Sequence, residues 1–256
     1  MHVLELDLSK KPSTSLPSAV VEIPGRAPKL QIYSPLLSSL RILQKNHGGR
    51  IRKLHLSPST PYQLRIGRKL IVTSGDQKLP TRDRSVPRLK IRAGPAFGTG
   101  EHGTTRLCLR YLTQFLGRWP KPNPQILDLG CGSGILALAC AKLGSQAKGW
   151  DNDESAVKEA IRNARLNRLN RRAHFQQADV LRKALPPADL ILANLYDTLL
   201  LCLLPRLRAH RKAGTQLIFS GILVGQERPI LRDAKKLGWK LERRDRIGRW
   251  LCLQFR

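Results

Sequence analysis

Residues 126–134 read Ile-Leu-Asp-Leu-Gly-Cys-Gly-Ser-Gly, and an apolar, alanine-rich run from Ile135 to Leu143 follows directly. An apolar segment closing on an acid and three glycines, then turning into a helical pattern, is the signature of a buried parallel strand running sharply into a helix. Gly130, Gly132 and Gly134 stand where such a turn needs left-handed backbone or close approach to a ligand. The spacing G-x-G-x-G differs from the G-x-G-x-x-G of dinucleotide sites, and Asp128 lies two residues before the first glycine. Together these features favour S-adenosylmethionine over a nicotinamide cofactor.

The pattern around that turn extends it into a domain. Strands are expected at Gln125–Leu129, Gln146–Trp150, His174–Gln177, Asp189–Ala193 and Gln216–Ser220. They alternate with helices at Ile135–Leu143, Glu154–Leu169, Leu195–Ala209 and Gln226–Leu237. Trp239–Arg244 and Trp250–Phe255 close the chain as a hairpin. Alternation of this kind predicts a doubly wound α/β sheet, largely parallel, with an antiparallel edge.

The first 95 residues have a different texture. Short alternating runs at Val3–Leu8, Ala19–Ile23 and Leu30–Tyr33 are separated by Pro, Ser and Gly, as strands and turns would be. A helix over Leu36–Gln44 and a strand over Ile51–Leu56 complete a small α/β module at residues 1–56. Residues 57–95 are expected to be a linker region with one strand at Gly67–Thr73 and a Pro- and Arg-rich stretch from Pro80 to Pro87. Residues 96–256 form the larger domain.

Ligands of such sheets bind beyond the carboxyl ends of the strands, which selects the candidate residues. Asp151 ends the second strand, and its carboxylate can accept both hydroxyls of a ribose; a loop acid or helix cap is the alternative. Asp153 suits a capping role before Glu154 and Ser155. Asp179 follows the third strand, where it can accept from an adenine amino group or serve as an ordinary loop acid. Asn194 ends the fourth strand. Its amide oxygen can accept from a substrate amine and hold the nitrogen lone pair towards the methyl group of a sulfonium cofactor. The segment Ala96–Thr105, with three glycines, three threonines and His102 before the helix Arg106–Leu116, can wrap a cofactor. No metal site is expected.

Phe97-Gly98-Thr99-Gly100-Glu101-His102-Gly103-Thr104-Thr105 resembles the ribosomal protein L-eleven methyltransferases, the PrmA family. The likeness continues through Leu127–Ala137, Ala193-Asn194-Leu195 and Ser220–Leu223, over roughly residues 62–256. It implies a seven-strand Rossmann-like S-adenosylmethionine methyltransferase with a smaller, degenerate ferredoxin-like substrate-recognition module. It also implies methylation of lysine side chains or an N-terminal amine on a ribosomal protein. Thr105, Gly130, Asp151 and Asn194 become the cofactor-contacting set, with Asn194 also facing the amine. The chain departs from the family in Asn194-Leu195-Tyr196, where a third apolar residue is usual, and in Ala93-Gly94-Pro95.

Charge bears on partners. The chain carries 46 Lys and Arg against 18 Asp and Glu, a net charge of +28. Such a field attracts polyanions, so ribosomal RNA contact is an open alternative. An RNA methyltransferase and a non-catalytic ribosome-assembly or RNA-binding factor are the competing readings. The arginines at 162, 165, 168, 171 and 172 fit either a solvated helix face or an RNA contact. Five scattered cysteines without C-x-x-C, and no long apolar run, point to a cytosolic chain with no membrane span.

Overall fold

The computed structural model describes residues 2–7, 18–21, 29–34, 37–53, 62–74, 83, 85–92, 100–209 and 212–256. The chain divides into two compact units, Met1–Pro58 and Ser59–Arg256.

In the first unit, β1 (His2–Asp7), β2 (Ser18–Val21), β3 (Lys29–Ser34) and β4 (Arg50–Lys53) form one sheet in the order β2-β3-β1-β4, with α1 (Leu37–His47) between β3 and β4. All its pairings are antiparallel. Alternation along β1 turns Leu4 and Leu6 to one face, where they pack with Ile32 and Leu40. Gly48 and Gly49, at φ +73° and +92°, stop the helix as their sequence position predicts. Leu8, Ser34-Pro35-Leu36 in part and Leu54–Leu56 of the expected elements lie outside the described residues.

The second unit opens with β5 (Gln63–Ile66), β6 (Leu70–Thr73) and β7 (Arg88–Lys90), a three-stranded sheet. Much of the stretch 57–95, expected as a linker region, therefore takes part in the unit's core. Leu70, Val72 and Leu89 are fully buried and join the cluster formed by α2 (Gly103–Arg118) and α3 (Ile135–Lys142). Half of Pro80–Pro87, residues 80–82 and 84, lies outside the described residues.

The large sheet contains β8 (Gln125–Leu129), β9 (Gln146–Asp151), β10 (Ala173–Gln177), β11 (Leu190–Asn194), β12 (Gln216–Leu223), β13 (Leu241–Ile247) and β14 (Trp250–Phe255). Its order is β10-β9-β8-β11-β12-β14-β13, parallel from β10 to β12 and antiparallel over the last two strands. This is the seven-strand doubly wound sheet the alternation predicts. Connections run one way from β8 and the other way from β11, so the order reverses between these neighbours. A crevice opens at such a switch point, beyond the carboxyl ends of the strands.

The remaining helices are α4 (Glu154–Leu166), α5 (Asp197–Ala209) and α6 (Glu227–Lys236). Leu129, Ala193, Phe219, Leu200 and Leu203 belong to the core on the α5 side, and Ile126, Leu192, Leu107 and Ala137 to the core on the α2–α3 side. α4 ends at Leu166, short of the expected Leu169, because Asn167 caps it and Arg168 turns to φ +56°. Among the described residues, no helix is long and apolar enough to cross a membrane.

Candidate active site

The turn after β8 is held to the end of β9, because Gly130 and Cys131 both donate their N–H to the Trp150 carbonyl, at 2.8 and 3.0 Å. Gly130, Gly132 and Gly134 all adopt positive φ (72°, 52° and 79°), which is why the sequence spends three glycines here. Asp128 lies beneath the turn, 1% exposed, and accepts from the Ala137 N–H at 3.0 Å. It thereby satisfies one of the orphan donors in the first turn of α3, whose N-terminal residue Gly134 has no side chain to cap it.

Burial pushes the Asp128 carboxyl up to about 7; the Ala137 N–H opposes the rise and the Asp151 charge adds to it. Between about pH 4 and 7 the folded chain therefore keeps a proton that the unfolded chain has lost. Stability falls as pH rises through that window, by up to about 1.4 kcal/mol per pH unit. Asp128→Asn retains an acceptor for Ala137 and has no proton to lose. Its urea unfolding free energy is expected to vary less between pH 4 and 7 than that of the parent; equal slopes would remove the assignment.

Asp151 sits at the carboxyl end of β9, partly exposed. One of its oxygens accepts from the Gly132 N–H (2.8 Å) and the other from the Asp153 N–H (3.0 Å). The carboxylate is thus oriented by the glycine turn while keeping acceptor capacity on each oxygen. Asp153 caps α4 through the Ser155 N–H and hydroxyl, the role its position predicts. The end of β10 is tied to the same place, since the Ala178 N–H donates to the Asp151 carbonyl at 2.8 Å. Asp179 follows, but it closes its own turn: one oxygen accepts from the Leu181 N–H and the other pairs with Arg182 at 3.3 Å.

Asn194 ends β11 on the other side of the switch point. Its Nδ2 donates to the Thr104 hydroxyl at 3.2 Å, and that hydroxyl lies 2.8 Å from His102 Nδ1. The Thr104 backbone N–H also points at Nδ1, at 3.4 Å, and can only donate. Nδ1 is therefore the acceptor, the Thr104 O–H is directed to it, and the Thr104 oxygen is left to accept from Asn194. The carbonyl end of the Asn194 amide consequently faces away, partly exposed and without a partner among the described residues. His102 is fixed in turn as the N-terminal cap of α2 and by an edge-to-face contact with Trp250, 4.9 Å between centroids.

Leu195 is clamped by two glycines. A Cβ at Gly130 would overlap the Leu195 side chain, and one at Gly221 would overlap the Leu195 backbone carbonyl. Gly221, at φ +86°, forms a bulge in β12 between Ser220 and Ile222. This clamp delays the start of α5 to Asp197, two residues later than expected. Thr105 is fully buried on α2 and its hydroxyl has no hydrogen-bond partner among the described residues. Gly100, at φ +102°, packs so closely that a Cβ would come within 2.9 Å of the Tyr62 hydroxyl and 3.1 Å of Ile135. The preceding motif residues Phe97, Gly98 and Thr99, like Ala93-Gly94-Pro95, lie outside the described residues.

The structure thus gathers Gly130, Gly132, Asp151 and Asn194 at the carboxyl ends of the interior strands β8, β9 and β11, with Thr105 in the helix that supplies Thr104. In the sequence Thr104 and Gly221 stand out only as members of motifs. Their signals were a second hydroxyl beside Thr105 and a glycine interrupting an apolar strand.

Comparison with known proteins gives this site a family. A family model described as "Ribosomal protein L11 methyltransferase (PrmA)" matches residues 59–256. The chain is 37% identical over 195 residues to a ribosomal protein L11 methyltransferase of Desulfitobacterium hafniense, covering 75% of this chain and 60% of that relative. It is 35% identical over 235 residues to one of Pelobacter propionicus, covering 90% of this chain and 72% of the relative. The first two relatives are spanned to only 60% and 63% of their length. A crystal structure of ribosomal protein L11 methylase from Lactobacillus delbrueckii superposes with a TM-score of 0.63 at 28% identity, over 76% of this chain and 98% of that one. With the glycine turn, the oriented Asp151 and Asn194 all inside the matched residues, the chain belongs to the ribosomal protein L11 methyltransferase (PrmA) family.

Proposed function

We propose that the chain is an S-adenosylmethionine-dependent protein methyltransferase acting on lysine or N-terminal amines of ribosomal protein L11, in the cytosol. The observation that carries this reading is the position of Asn194: beside the glycine turn at the switch point, with its amide held by Thr104 and its carbonyl open. The free state of all five cysteines, four of them buried, suits a reducing compartment.

The residues present fit the cofactor. Asp151 retains acceptor capacity for a ribose diol. The buried Thr105 hydroxyl, without a partner among the described residues, is a polar group of the kind folded proteins rarely leave unmet, and a ligand atom would satisfy it. Bound there, S-adenosylmethionine supplies an electrophilic methyl group on a sulfonium, already an excellent leaving group. The chain's own task is then alignment. The Asn194 carbonyl accepts one N–H of a neutral amine and so directs the nitrogen lone pair away from itself. It takes no proton; the proton that the amine gives up passes to solvent. Thr104 and His102 keep the amide from rotating, and the Gly130–Leu195–Gly221 contacts fix the backbone that bears it. Alignment and exclusion of water account for such a transfer without a strong base.

The charge of +28 favours an RNA target as the second reading. Transfer of labelled methyl groups into a ribosomal extract separates the two: protease-sensitive, nuclease-resistant label is expected. Nuclease-sensitive label would establish the RNA reading, and absence of label a non-catalytic role. Asp151→Ala is expected to weaken S-adenosylmethionine binding by about 1.5–3 kcal/mol, the range for charge-assisted hydrogen bonds. Calorimetry giving unchanged affinity in a folded variant would remove Asp151 from the site.

A further inference from the structure

We infer that the C-terminal end of α4 and the turn into β10 form a docking surface for the phosphate backbone of double-helical RNA. Arg162, Arg165, Arg168, Arg171 and Arg172 are all exposed, and no Asp or Glu occurs from 160 to 178. Of the flanking carboxylates, Glu154 pairs with Lys158, Asp179 pairs with Arg182, and Glu159 is buried. Among the described residues, Arg162, Arg165, Arg168 and Arg171 form no ion pair.

A second segment enlarges the patch. Asn163 accepts from the Arg92 N–H at 3.0 Å, and Asn167 exchanges hydrogen bonds with the Lys90 backbone at 2.8 and 2.6 Å. The exposed Arg92 is thereby held alongside α4. Arg172 is laid over the end of α3 by its bond to the Gly144 carbonyl at 2.9 Å. Three segments thus bring exposed arginines to neighbouring stretches of backbone.

A helix C-terminus welcomes positive charge, but its dipole amounts to about half an elementary charge. That accommodates one arginine, and the others repel one another without an ion pair to relieve them among the described residues. A polyanion relieves them, and arginine forks match phosphate oxygens. Single strands are bound by stacking bases on aromatic rings. Phe175, the one Phe, Tyr or Trp from 160 to 178, is instead packed towards Gly134 and Gly149, which leaves His174 as the single exposed ring there. Phosphates of a duplex, read without base contact, are the chemistry that fits. The choice of RNA rests on the proposed ribosomal-protein substrate.

The test is fluorescence anisotropy of the full chain with a labelled RNA duplex of about 20 base pairs, at roughly 50 to 300 mM KCl. Arg162→Gln, Arg165→Gln and Arg171→Gln combined spare Arg168, with its positive φ, and Arg172, with its backbone bond. This variant is expected to bind at least about tenfold more weakly, and its plot of log affinity against log salt to flatten by about 2–3. An equal charge change on α6 (Arg228→Gln, Lys235→Gln, Lys236→Gln) is expected to leave most of the affinity, circular dichroism confirming both folds. Equal losses in the two variants would overturn the surface and leave only diffuse attraction. Poly-glutamate competing as well as RNA per charge, or DNA duplex binding equally tightly, would overturn RNA as the occupant. Label transfer to the isolated ribosomal protein reports on the enzymatic reading separately.

Discussion

Asn194→Ala is expected to lower the methyl-transfer rate by about 10²-fold or more while changing cofactor affinity only a few-fold. The magnitude follows from alignment, since a displacement of about 1 Å of the attacking group costs about that factor. Alanine removes the acceptor and leaves the amine free to sample orientations whose lone pair misses the methyl group. A rate falling without a matching fall in binding identifies an interaction made chiefly at the transition state. Thr104→Val isolates the positioning contribution. It deletes the hydroxyl that accepts from the amide at 3.2 Å and keeps the shape of the side chain. About a tenfold loss of rate with intact cofactor binding is expected, smaller than for Asn194 because the amide is still present and samples the correct rotamer part of the time. Single-turnover rates for the two variants, each with a measured cofactor affinity, check both statements. Wild-type turnover in Asn194→Ala would remove the residue from the mechanism.

What could be read from the sequence divides along a physical line. The left-handed turn at Gly130 and Gly132 and the place of Asp151 at the end of β9 were legible because local backbone demands set them: left-handed turns take glycine, and the strand pattern stops where the apolar run meets an acid. The alternation of strand and helix gave the sheet for the same reason. Thr104 was not legible as the partner of Asn194, because the two are 90 residues apart in the chain and only the sheet topology joins them. The three short strands between residues 63 and 90 were mostly hidden, since their elements of three and four residues carry little periodicity and stand among prolines and arginines. Gly221 shows the limit most plainly. Its sequence signal is one glycine in an apolar strand, and its reason is the carbonyl of Leu195 on the neighbouring strand. Asp179 shows that one residue can hold its own turn, through Leu181 and Arg182, and keep the lone pairs a ligand role needs.

Removing residues 1–58 is expected to reduce methylation of the protein substrate by about 10²–10⁴-fold while leaving cofactor affinity within about twofold. The first unit has its own sheet and its own small core of Leu4, Leu6, Ile32 and Leu40, and it lies outside the residues the family model matches. Both large cores and the candidate site residues belong to the second unit, so that unit retains what folds it and what would bind the cofactor. If the first unit captures the ribosomal protein, its role is to raise the effective concentration of the target amine at Asn194, and the expected factor is that of a tethered second binding event. The loss then falls on kcat/KM for the protein and not on the cofactor pocket. Calorimetry with S-adenosylmethionine and label transfer to the isolated ribosomal protein, on a truncated chain shown to be folded by circular dichroism, separate the two terms. Unchanged methylation of the protein would assign substrate capture to residues 59–256. Loss of cofactor binding together with methylation would mean that the two units share the pocket.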